Sequence, residues 1–133
     1  MPGVVVDTHS IVWFLSRDPR LSTKARDALR STTAGGDIIY VPSICLVELT
    51  YLVEKGRLPA LARDELIQAL DDPAIPCSLA PLDRAVADAL AHVKRSDVPD
   101  LPDRIVAATA VALSVPLISR DSKIRASQVE TIW

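Results

Sequence analysis

Cysteine is scarce: Cys45 and Cys77 stand alone, outside any CxxC pair, and His9 and His92 lie far from both along the chain. Neither a zinc site nor a dithiol redox centre has the ligand spacing it needs, and both thiols read as apolar filler. Aromatic residues make up only 4% of the chain, scattered as Trp13, Phe14, Tyr40, Tyr51 and Trp133, which excludes a base-stacking platform for coating single strands. Positive charge is not in surplus either. Fifteen Lys and Arg against 17 Asp and Glu leave a net charge of -2, with a pI near 5.6. A polyanion would therefore be held by local arginines or by metal, not by the chain as a whole. No basic N-terminal segment precedes an apolar core, and the longest low-polarity stretch, 105–118, is broken by Thr109, Ser114 and Pro116. A cytoplasmic protein with no membrane span is expected.

What is present is an ordinary foldable composition, 49% hydrophobic and 24% charged over 133 residues, enough for one core and a single domain spanning 1–133. Val4 to Val6 reads as a short strand, and Thr8 to Leu15 as a helix from the spacing of Ile11, Val12, Phe14 and Leu15. Pro19 and Ser22 open a second helical stretch that ends near Gly35 and Gly36, followed by a strand over Ile38 to Val41. Pro42 and Ser43 are expected to cap a helix from about Ile44 to Lys55, stopped by Gly56; Pro59 begins its hairpin partner, which runs toward Asp72. Cys77 to Leu82 is a candidate strand, Asp83 to Lys94 an Ala-rich helix and Asp97 to Pro102 a loop. Asp103 to Leu113 is a buried helix, Val115 to Ser119 a strand and Val129 to Trp133 an edge strand. Alternating strands and helices predict an α/β fold whose parallel sheet is covered on both faces.

Four acids stand out by position. Asp7 and Asp121 follow apolar runs, so both would sit at carboxyl ends of buried strands, where open α/β sheets bind ligands. Glu48 has Ile44, Cys45, Tyr51 and Leu52 as helical neighbours, and a carboxylate on an apolar face needs an arginine, a proton or a metal. Asp103 follows Pro102 at a helix start. Each has a plainer reading: Asp7 and Asp103 as helix-start residues, Asp121 as a turn, Glu48 in a salt bridge. Jointly they point to one all-oxygen site for Mg²⁺, or Mn²⁺ in its place, and to phosphodiester hydrolysis through an activated water. Asp100, Ser119 and Thr8 are candidate auxiliary residues, and Arg104, Arg120 and Lys123 candidate phosphate contacts, with solvated surface charge as their ordinary alternative. His9, beside Asp7, is not required by such chemistry.

The segments VVVDTHSIVWFL, VPSICLVELTYLVEKGRL, LPDRIVAATAVALSVPLISRDSKI and VETIW resemble PIN-domain proteins, in particular VapC-type toxins of bacterial toxin-antitoxin pairs. The resemblance covers nearly the whole chain. It implies a PIN-like three-layer α/β/α sandwich, a metal-dependent ribonuclease acting on RNA, and Asp7, Glu48, Asp103 and Asp121 at the family's acidic positions. A homodimer held inhibited by a small antitoxin is implied too, with Ser119 in the place of a Ser or Thr near the last acid. Where many relatives carry a histidine shortly before the third acid, this chain has Val98, Pro99, Asp100, Leu101 and Pro102.

Two rival readings remain. An aspartyl-phosphate phosphatase would want a second acid two residues after Asp7, where His9 stands, and a phosphoacceptor domain would want an acid pair there. A non-catalytic PIN-like module that docks RNA or protein would have no use for a costly carboxylate cluster.

Overall fold

The computed structural model describes residues 2–133, which form five strands and seven α-helices in a three-layer α/β/α arrangement. In chain order the elements are β1 (Gly3–Val6), α1 (Thr8–Leu15), α2 (Thr23–Ala34), β2 (Ile38–Pro42), α3 (Ser43–Glu54), α4 (Ala60–Asp71) and β3 (Cys77–Ala80). They continue with α5 (Arg84–Ala89), α6 (Leu101–Leu113), β4 (Leu117–Ile118), α7 (Ser122–Ala126) and β5 (Thr131–Ile132). All strand pairs are parallel and the sheet order is β3-β2-β1-β4-β5.

That order decides where a site can form. From the central β1 the chain steps outward through β2 and β3, then returns to place β4 on the other side of β1. The crevice beyond the carboxyl ends of β1 and β4 is the switch point of the sheet, and Asp7 is the first residue after β1. The floor below it is dry: Val5, Val6, Ile39, Val41, Leu117 and Ile118 are each at most 1% exposed. Helix α2 packs against β1, β2 and β5, while α3 packs against α1, α4 and α6. A rigid core of this kind fixes the elements that bear the acids.

Helix ends show local chemistry at work. Asp7, Ser22, Asp83, Asp100 and Asp121 each accept a first-turn amide as N-caps. Ser43 does not cap α3, contrary to expectation: Pro42 holds the cap position without a side-chain bond, and the Ser43 hydroxyl accepts the Leu82 N–H instead. Gly56 follows the end of α3 with φ +71, a conformation that costs glycine little. The expected helix over Asp83 to Lys94 stops at Ala89 and passes into a 3₁₀ turn, Leu90–His92. The strand expected over Val115 to Ser119 contracts to two residues, and the turn expected at Asp121 opens a five-residue helix instead. No helix among the described residues is long and apolar enough to cross a membrane.

Candidate active site

Asp7, Thr8, His9, Glu48, Asp103, Arg120 and Asp121 line one cavity of about 260 Å³, together with Ser10, Trp13 and Val106. Four separate elements deliver the acids: Asp7 from the end of β1, Glu48 from mid α3, Asp103 from the first turn of α6, and Asp121 from the cap of α7.

Hydroxyl groups hold the carboxylates in place. Asp7 Oδ1 accepts the Ser10 N–H at 3.0 Å, and its Oδ2 accepts the Ser119 hydroxyl at 2.6 Å. Ser119 is fully buried, and its Oγ also accepts the Asp121 N–H at 3.1 Å, so one hydroxyl ties the two strand-end acids together. Asp121 Oδ1 in turn accepts the Lys123 and Ile124 amides, both at 3.0 Å. Across the crevice, Thr8 donates to Glu48 Oε1 at 2.5 Å and is 3% exposed. The buried Ser10 hydroxyl pins the start of α1 to the Ile118 carbonyl at 3.2 Å.

Glu48 is not enclosed by apolar neighbours as its sequence context predicts. It is half-buried, because Val47 and Tyr51 beside it are 63% and 54% exposed and α3 shows this face to the cavity and to solvent. Nor does an arginine neutralise it: its carboxylate accepts the Thr8 hydroxyl, and among the described residues no ion pair involves it.

Asp103 is the electrostatic centre of the group. Burial first, and then the charges of Asp100, Asp121, Glu48 and Asp7, push its carboxyl up to about 7. Asp7, Glu48 and Asp103 lie near enough to Cys45, at the buried root of α3, to add to the burial that raises its thiol well above the usual range. Cys45 is thus inert packing, as is the raised Cys77, at about 11.

The acids surround a space and do not form a preassembled cage. Among the described residues no three His, Cys, Asp or Glu side chains form a group tight enough to hold a metal by themselves. Such spacing fits a Mg²⁺-like ion, which is held through one or two carboxylates and keeps several waters. The donor set suits it as well, being oxygen only, with the negative field of the neighbouring carboxylates converging on Asp103.

The remaining candidates divide by position. Arg120 reaches the cavity, its guanidinium 4.7 Å from the Trp13 ring centroid. Arg104 is turned away from the phosphate contact expected of it: its Nε donates to the Val93 carbonyl at 2.6 Å and its Nη2 to Leu90 at 3.0 Å. Asp100 is exposed and caps α6 by accepting the Asp103 N–H at 3.1 Å, acting on Asp103 through charge. Lys123 is exposed on α7, outside the cavity lining. Trp13, missing from the sequence-based set, forms a cavity wall while only 3% exposed, with His9 at 5.5 Å between ring centroids. The one sequence signal for it is the spacing of four from His9 on the same helix face.

The model of the PIN-domain family matches residues 4–129. No curated protein matches the chain in sequence. Among solved structures, VapBC2 from Rickettsia felis, bound to a promoter DNA fragment, is similar at a TM-score of 0.72 and 16% identity, covering 97% of this chain and 96% of that one. FitAcB from Neisseria gonorrhoeae aligns at 0.64 with 22% identity over 96% and 95% of the two chains. A toxin-antitoxin complex from Klebsiella pneumoniae aligns at 0.66 with 18% identity over 98% and 96%.

Proposed function

This chain belongs to the PIN-domain family, and from that premise we propose that it is a Mg²⁺- or Mn²⁺-dependent endoribonuclease acting as the toxin of a toxin-antitoxin pair. The observation that carries the reading is the single cavity at the sheet switch point lined by Asp7, Glu48, Asp103 and Asp121. Four carboxylates facing one space, none of them ion-paired among the described residues, are costly to fold unless a cation is bound. A divalent ion held by Asp7, Glu48, Asp103 and Asp121 would supply a polarised water and offset charge on the phosphate.

The chain's own groups do the positioning. Ser119 fixes the rotamer of Asp7, and Thr8 does the same for Glu48, so the ligand oxygens are set before substrate arrives. Arg120, at the cavity wall, is the group placed to hold a substrate phosphate. Asp100 adjusts the charge on Asp103 from outside the cavity.

A small antitoxin and a second copy of the chain are the partners in this reading, which extends the 1–133 single-domain reading of the sequence. Support comes from the toxin-antitoxin complexes among the structural neighbours. Exposed apolar surface adds to it, at Val47 and Tyr51 on α3 and Leu61 on α4, each more than half exposed.

The test is cleavage of single-stranded RNA by purified protein with Mg²⁺, Mn²⁺ or EDTA, repeated with Asp7→Asn and Glu48→Gln. Metal-dependent cutting lost in both variants supports the proposal. RNA bound but never cut, with either ion, would instead assign the chain to non-catalytic RNA docking.

A further inference from the structure

A second cleft, of about 580 Å³, shares Trp13 with the acid cavity and is lined by Trp13, Phe14, Arg17, Pro19, Leu21, Arg26 and Arg30. Its character is the reverse of its neighbour's. Three arginines line it and no acidic residue does, in a chain whose net charge is -2. Among the described residues none of the three arginines is ion-paired; Arg20 nearby is, through its two-pronged bond to Asp18.

The backbone is shaped to present them. Arg26 and Arg30 are one helical turn apart on α2, so their side chains leave the same face. Arg17 follows the end of α1 with φ 57, a left-handed conformation that a residue with a Cβ rarely adopts and that Asn or Gly would adopt more readily. Arg17 lines the cleft together with Arg26 and Arg30 of α2. Cations gathered without counter-ions repel one another, and a polyanion removes that repulsion.

We propose that this cleft binds the phosphates of a single-stranded RNA segment flanking the one held in the acid cavity, with Trp13 as the shared wall. The inference rests on the nuclease reading for its direction, since it is the continuity with the acid cavity that favours RNA over an acidic peptide. Arg120, 4.7 Å from the Trp13 ring centroid, is the cation that lines the acid cavity, so the strand runs from Arg120 past the buried Trp13 wall to Arg17, Arg26 and Arg30. The acid cavity then cuts, and the arginine cleft decides how well a longer strand is retained.

The triple variant Arg17→Gly, Arg26→Gln, Arg30→Gln tests this, with glycine at 17 because it suits the left-handed turn and keeps the fold from being the explanation. Binding of fluorescein-labelled RNAs of about 12 and about four nucleotides is measured by anisotropy across salt concentrations, in an Asp103→Asn background that prevents cutting. The longer RNA is expected to bind at least about tenfold more weakly, with the salt slope flattened by about 2 for three lost phosphate contacts. The short RNA is expected to bind unchanged, and the melting temperature to stay the same or rise. Equal losses for both lengths, an unchanged salt slope, or no RNA binding by the parent protein would overturn the proposal. Loss of binding to a poly-glutamate peptide with RNA binding intact would overturn it too, and would assign the cleft to an acidic peptide. If unmutated protein binds the longer RNA through these arginines yet never cuts it, the cleft stands and the nuclease reading falls.

Discussion

The Ser119 hydroxyl donates to Asp7 Oδ2 at 2.6 Å across the crevice between β1 and β4, joining residues 112 apart in the chain. The same oxygen accepts the Asp121 N–H. One buried side chain thereby sets the spacing between two acids that strand geometry alone would leave free to turn.

Ser119→Ala removes both bonds made by this fully buried hydroxyl. A net loss of about 1–3 kcal/mol is expected, the cost of leaving Asp7 Oδ2 and the Asp121 amide unpaired. Chemical denaturation read by Trp fluorescence measures it. RNA cleavage is expected to fall about 10- to 100-fold in the same variant, since a misaligned supporting group weakens metal affinity or activity by that order. Stability loss with full activity would show that the bond is structural only.

Without metal, Asp103 makes the protein less stable as pH rises. Its folded carboxyl titrates at about 7 instead of 3.8, so between those values the folded chain keeps a proton that the unfolded chain has released. The contribution is fully present below about 4 and is lost as pH climbs through about 7, on the order of 1–2 kcal/mol once the partial exposure of the group is allowed for. Thermal melts in EDTA from pH 4 to 8 are expected to show the decline, less steeply in Asp103→Asn. Saturating Mg²⁺ is expected to reduce it, because the ion binds the deprotonated form. Parallel curves for parent and variant in EDTA would contradict this.

Arg104 and Arg120 should separate cleanly. Arg104→Gln is expected to cost about 1–3 kcal/mol, because the carbonyls of Leu90 and Val93 lose a charged donor, with KM for RNA unchanged. Arg120→Ala is expected to raise KM while costing about 0.5–1 kcal/mol of stability, the worth of an exposed stack on Trp13. Steady-state kinetics alongside melting curves distinguish the two, and the opposite pattern would exchange their roles.

The α/β class and the strand-end placement of Asp7 were legible because apolar runs and helix punctuation are local signals. Three-dimensional partnership was not. Arg104 and Arg120 look alike as basic neighbours of acids, and only the fold shows that one reaches back to the turn after α5 while the other faces the cavity. Glu48 was legible in part: of its helical neighbours Ile44, Cys45 and Leu52 are buried or half-buried as expected, but Tyr51 stands 54% exposed, so one side of its helix face opens outward. The short α7 was hidden because Asp121 serves turn and helix cap alike, and five residues carry too little periodicity to tell them apart. Trp13 was unreadable as a site wall because a large aromatic in an apolar helix is ordinarily core.

Direct Mn²⁺ binding, followed by loss of the free-ion electron paramagnetic resonance signal, tests the acid cluster without relying on any substrate. The unmutated protein is expected to bind Mn²⁺ and to release it on adding Mg²⁺, with affinity lowered at least about tenfold in Asp7→Asn and in Asp103→Asn. A signal that never falls, or three proteins with the same affinity, would contradict a metal site built from these carboxylates.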